Sequence, residues 1–274
     1  MSRLQNPANA EGLKGSMTGS GNAVKLPFGA PIIWWKNSNP DLSDTEEIKD
    51  VRRFGGWGIS KEDIDDQRES LPPELPANWK LFENLKNGEG NTYAAYLTRS
   101  VRAAPIDRRF NWFTNAEGKS SSKVNYLVYI AIRNENKLLP WGPAVLSAGS
   151  YSGKALDEAF ADFKKLTSSI RGDDPVNLFY HPLGTFGDTP KNEARTGKGG
   201  KSSSITPCQL WKPQGGIVAA TLDDWFVGDD IAAEMGLLRI QAKEWIDEWA
   251  KKATANNTQL DDLPQHPYNN DFPF

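Results

Sequence analysis

The stretch Val124–Ile132, VNYLVYIAI, decides the fold class. It is dense in β-branched and aromatic residues and holds neither glycine nor proline, so it reads as a strand. Directly downstream, Gly149–Gly172 (GSYSGKALDEAFADFKKLTSSIRG) changes period. Leu156, Phe160, Phe163, Leu166 and Ile170 follow at spacings of 4, 3, 3 and 4, which is one apolar stripe of a helix. Ser152 is placed to cap its start and Arg171-Gly172 to end it.

Upstream of the strand the pattern stays β. Trp79–Leu85 (WKLFENL) is one candidate, Asn91–Ile106 (NTYAAYLTRSVRAAPI) a second, and Arg108–Phe113 (RRFNWF) continues or follows it. Downstream of the helix, Val176–Phe186 (VNLFYHPLGTF) and Ile205–Pro213 (ITPCQLWKP) are two more, separated by the basic loop Lys191–Ser204 (KNEARTGKGGKSSS). Three or so strands, a helix, then two strands is the order of an OB-fold-like barrel, with its helix between strands 3 and 4. The expected class is therefore β-rich (α+β).

Around that core the chain divides by composition. Residues 1–25 are Gly/Ser/Asn-rich and aperiodic, a flexible arm. Residues 26–78 form an N-terminal aromatic and acidic extension that closes on the proline-rich ESLPPELPANW. Residues 79–221 are the OB-like domain and 222–252 a C-terminal helical segment. There Ile231, Met235, Leu238, Ala242, Trp245 and Trp249 make one stripe, with Asp229 and Asp230 at the start and Lys251 and Lys252 at the end, as the helix dipole favours. Residues 253–274 are expected to form a disordered acidic tail. No internal repeat is found.

Composition narrows the function. No apolar run approaches the ~20 residues of a membrane span, and the N-terminus has no apolar core of a secretory signal. One cysteine, Cys208, rules out an internal disulfide framework and points to a reducing, cytoplasmic setting. With only His181 and His266 beside it, a usual structural zinc site is not expected. The net charge of −3 is matched by Asp261, Asp262 and Asp271 of the tail, which holds no Lys or Arg. Within the neutral remainder the signs segregate. Lys86–Trp141 has nine Lys/Arg against four Asp/Glu, and Lys191–Lys212 five against one. A pI near 5.6 thus hides two basic segments.

Rings interleave with these bases. In the main domain they run Tyr93, Tyr96, Arg99, Arg102, then Arg108, Arg109, Trp112, Phe113, Lys119 and Lys123. The N-terminal segment adds Trp34, Trp35, Lys36, Arg52, Arg53, Phe54 and Trp57, and the basic loop adds Lys198 and Lys201. Single-stranded nucleic acid exposes base faces and phosphates together. Rings stack on the bases, at roughly 1–3 kcal/mol each, while Lys and Arg follow the backbone. The competing use of the rings is a core, and of the bases a solvated face.

Other motifs carry less. Gly200-Lys201-Ser202 matches the end of a phosphate-binding loop, but Arg195 stands where the pattern demands glycine. His181 beside Asp173 and Asp174 lacks a nucleophile or ligand spacing and reads as a structural histidine in a strand. Glu62, Asp63, Asp65 and Asp66 read as a solvated acidic segment. Nothing calls for a cofactor or a metal, and the chain is expected not to be an enzyme.

The tail ATANNTQLDDLPQHPYNNDFPF ends on Asp271-Phe272-Pro273-Phe274. This tip resembles that of bacterial single-stranded DNA-binding proteins, where aspartates precede Ile-Pro-Phe. Asp271 takes the last aspartate, Phe272 the isoleucine, and Pro273 and Phe274 match, while Asn269 and Asn270 replace acids. The likeness covers about four residues and the tail's character. It implies that the terminal ring and carboxylate dock on DNA replication, repair or recombination proteins, while the body binds single-stranded DNA, as a homo-oligomer or cooperative assembly. A metal-dependent nuclease and an RNA-binding or phage structural protein are the alternatives.

Overall fold

The computed structural model describes residues 26–39, 51–66, 75, 78–86, 92–114, 120–134, 137–172, 176–196 and 202–247. The expected arm, Lys119, Lys198, Lys201 and the whole tail with Asp271, Phe272, Pro273 and Phe274 lie outside the described residues.

Val124–Ile132 is the middle of β6 (Ser120–Asn134), which pairs antiparallel with β5 (Ser100–Thr114) and β7 (Lys137–Gly149). Four more strands of the sheet come earlier in the chain and two later: β1 (Ile32–Lys36), β2 (Gly56–Ser60), β3 (Lys80–Lys86), β4 (Thr92–Thr98), β8 (His181–Gly184) and β11 (Gln209–Leu210) complete it. Its order is β11-β8-β5-β6-β7-β1-β2-β4-β3, and every neighbouring pair is antiparallel except β7 with β1. The sheet curls into a half-barrel. A separate hairpin joins β9 (Glu193–Thr196) to β10 (Ser202–Ile205).

The β-rich class with helices is present, and the details differ from the sequence expectation. The long helix, α3 (Ser150–Arg171), follows the seventh strand instead of the third. The segment expected as an N-terminal extension supplies β1 and β2, which lie inside the sheet between β7 and β4. It also supplies two short helices, α1 (Val51–Phe54) and α2 (Lys61–Asp66). Asn91–Ile106, expected as one strand, breaks at Arg99 into β4 and β5, which pair with different neighbours. Strand β7 was hidden by Pro140 and Pro143. A register shift lets Trp141 stand out of the ladder between Gly142 and Pro140, so the sheet tolerates residues without an N–H. Pro105 sits beside a second shift.

Both faces of the sheet are covered. On one, Leu156, Ala159 and Phe160 of α3 pack on Val124, Tyr126, Val128 and Leu146. Phe163, from the same stripe, packs instead with Trp225 of α4 (Ala219–Trp225). The cap is Gly149 with no side-chain bond; Ser152 lies inside the helix, its hydroxyl 3.3 Å from Asn37 Oδ1. Gly172, at φ 69°, ends the helix in a conformation that favours glycine. On the other face, α5 (Asp229–Gln241) sets Met235 and Leu238 against Ile106, Leu127 and Tyr129. The C-terminal helix is not continuous: the chain turns at Ala242, and Trp245 follows in a further helical piece. No described helix is long and apolar enough to cross a membrane.

Candidate nucleic-acid interface

Alternation along β1 sends adjacent tryptophans to opposite faces. Trp35 joins the main core, edge-on to Trp57 at 4.8 Å between centroids, and its Nε1 donates to Thr206 O. Trp57 is fully buried and donates to Leu183 O. Trp34 faces the other way, over a small cluster of Val51, Ala95 and Leu97 that Tyr93, Phe82 and Leu85 also border. Trp34 and Tyr93 are half-buried, with centroids 6.5 Å apart and planes tilted by 59°.

One arginine edges this cluster, and two more meet on a neighbouring ring of α1. From α1, the Arg52 guanidinium lies 4.7 Å from the centre of the Phe82 ring. Arg53, also from α1, lies 5.9 Å from the Phe54 ring, and Arg99, at the break between β4 and β5, lies 4.1 Å over the same ring. Arg99 also donates to Gly187 O. Burial lowers the Arg99 pKa, which Asp188 partly restores, and burial raises that of Tyr93. Guanidinium groups held on rings keep N–H donors in a fixed plane at reduced entropic cost. Of the predicted residues, the fold thus gathers Trp34, Tyr93 and Arg52 at one cluster, while Arg53 and Arg99 meet on the Phe54 ring. Phe54, which seats Arg53 and Arg99, belongs to the expected N-terminal set, whereas Phe82, which seats Arg52, was not anticipated because it lies far from that arginine in sequence.

The remaining predicted residues go elsewhere. Arg108 reaches across to α3 and holds Asp157 through Nε and Nη2 at 2.9 and 2.6 Å, while Tyr126 donates to the same carboxylate. Burial alone would lower the Arg108 pKa; Asp157 and Tyr126 outweigh it, and the net shift is upward. Arg109, on the opposite face, is buried, donates to Trp245 O and lies 4.5 Å from the Trp245 ring. Both are tied to helices far along the chain, as Trp57 is tied to β8 through Leu183. Tyr96 packs against the main core. Arg102 lies apart, near Trp211 and Trp225. Lys123 is half-buried, and burial lowers its pKa. Trp112 and Phe113 are paired with Ser122 and Ser121 on the long β5–β6 ladder; only their backbone is described.

The chain matches no family model, and no curated protein or solved structure is significantly similar to it.

Other sites are less suited to an anion. A groove of about 560 Å³ between α3 and the β9–β10 hairpin is lined by Lys191, Arg195 and Lys212, but also by Glu158, Asp162 and Glu193. Arg195 is already bound to Glu158 and Glu193. The chain expected to be loop on both sides of residues 197–201 is strand, and Ser202–Ile205 stands where a phosphate-binding loop needs a helix. His181 is buried between Phe160 and Phe163. In α2, Lys61 pairs with Asp65. Among the described residues no group of three or more His, Cys, Asp or Glu is placed to hold a metal.

Proposed function

We propose that this chain is a non-enzymatic protein that binds and protects single-stranded DNA. The observation that carries the reading is the joint placement of Trp34 and Tyr93, two half-buried rings, beside Arg52 on Phe82. Rings that are anchored but still reachable suit base stacking, and the guanidinium groups suit the phosphates between bases. The curled, mostly antiparallel sheet supports an OB-like use of one face, although its strand count exceeds that of an OB barrel. The acidic tail, through Asp271–Phe274, is proposed to recruit DNA replication, repair or recombination proteins, in a cytoplasmic setting, with cooperative or oligomeric assembly on the strand.

Titration of fluorescent single-stranded and duplex oligonucleotides at two salt concentrations tests this. Single strands bind more tightly, and log affinity falls linearly with log salt. Equal or tighter duplex binding, or indifference to salt, refutes it, and competition by RNA of the same sequence at equal strength shifts the reading to RNA. Deleting residues 270–274 leaves DNA affinity unchanged or slightly raised at low salt, and abolishes partner capture.

A further inference from the structure

Arg102 is a half-buried cation that has no carboxylate partner among the described residues. It leaves β5 opposite Ala131 and Pro182, and its guanidinium lies 5.3 Å from the Trp225 ring and 5.9 Å from the Trp211 ring. Its Nη1 is shut off from water and has no hydrogen-bond partner among the described residues. Burial first, and then the like charge of Arg133, pulls the Arg102 pKa down to about 10. Compare Arg108 and Arg239, which hold Asp157 and Asp107. A guanidinium stays charged in a protein, so this one cannot escape its position by losing a proton. The indole faces offset part of the cost, and an unmade bond to a buried charged donor remains expensive. Trp225 is a buried floor, whereas Trp211 is half-exposed and followed by the exposed Lys212.

We infer that Arg102, between Trp211 and Trp225, seats one phosphodiester of a bound single strand, with an adjacent base laid against Trp211. This rests on the single-strand reading proposed above and adds to it a subsite separate from the Trp34–Tyr93 cluster. A shift of the half-exposed Trp211 side chain brings Nη1, closed to water in the unliganded chain, within reach of a phosphate oxygen, whose charge also screens Arg102 from Arg133, which an uncharged ligand cannot do.

The test uses the full chain and a twenty-nucleotide oligothymidylate, chosen at about the length a small binding domain and its neighbours cover. Arg102→Met is expected to bind it roughly tenfold more weakly and to lose about 0.7 of the log–log salt slope, one single-strand phosphate. It also loses most of the tryptophan fluorescence change. If wild type binds and Arg102→Met keeps both affinity and slope, the subsite is refuted and the single-strand reading stands. If wild type does not bind oligothymidylate, the function proposed above falls, and pyrophosphate decides the subsite. At matched ionic strength it raises the melting temperature of wild type and not of Arg102→Met if the anion site exists, and treats both alike if it does not. Should Arg102→Met fail to fold, Arg102→Lys keeps the charge without the planar fork: several-fold weaker binding with an unchanged slope supports the subsite, and wild-type affinity overturns it.

Discussion

The indole of Trp34 lies across Gly58, its direct partner in the β1–β2 register: a methyl group on Gly58 would come within 2.0 Å of Trp34 Cζ3. The missing side chain of one strand makes the bed for the ring of the other. Gly58→Ala therefore displaces the ring and costs about 1–3 kcal/mol, the range of core overpacking. In a Trp34→Ala background the same change has little left to clash with, so the two effects are strongly non-additive. Urea denaturation of the four proteins measures this, and additive costs would contradict it. Single-strand affinity falls in both single variants, by roughly 1–3 kcal/mol for loss of one stacked base.

Two arginines from the same sequence pattern have opposite fates. The Arg108–Asp157 pair, with Asp157 only 9% exposed, ties β5 to α3. Asp157→Ala leaves a guanidinium without its carboxylate and costs about 3–5 kcal/mol, with the salt slope of DNA binding unchanged in the folded fraction. Arg52→Ala does the reverse: the slope drops by about 0.7 and the urea midpoint hardly moves. A stable Asp157→Ala protein with altered slope would exchange the two roles.

What the sequence made legible follows from how each feature is encoded. The strand at Val124–Ile132 and the stripe on α3 are local, so composition and spacing reveal them. The division of the aromatic and basic residues is not local. Because α3 covers one face of the sheet and α5 the other, inward and outward positions are both apolar in the central strands, and the period-2 signal that separates core from surface is lost. Arg108 and Arg109 are neighbours, yet one finds its carboxylate on α3 and the other its ring at Trp245. Trp34 and Trp57 are equally aromatic, and only the register across Gly58 leaves the first reachable. β7 was lost because prolines argue against a strand unless a bulge is foreseen, and a bulge depends on the partner strand.

Cys208 reports on the closed state of the fold. It is buried beside β8, and burial pushes its thiol far up, with a backbone hydrogen bond involving Gly184 pulling back only in part. The thiolate is the reactive form, so a disulfide reagent at pH 8 leaves the native protein unmodified over the time in which a denatured sample reacts fully. Across a urea series the reaction rate follows the unfolded fraction. Prompt stoichiometric labelling in buffer would mean that the chain around β11 opens locally.

Asp63 gives the fold a pH dependence of definite sign. Burial first, then the charges of Glu62 and Asp66, raise its pKa from 3.8 to about 6. Between those values the native protein holds a proton that the unfolded chain has released, so stability falls as pH rises from about 4 to about 6 and is level above. The whole effect is bounded at about 3 kcal/mol by the size of the shift, and partial solvent contact of the half-buried side chain reduces it. Asp63→Asn removes the charge and keeps the shape. Its advantage over wild type is therefore absent near pH 4 and fully developed at pH 7, and urea midpoints of the two proteins at both pH values measure it. Taking the difference between the proteins removes the acids that do not interact with Asp63 and leaves Asp63 with its coupling to Glu62 and Asp66. A constant difference across that interval would show that Asp63 is as well solvated in the folded protein as in the unfolded chain.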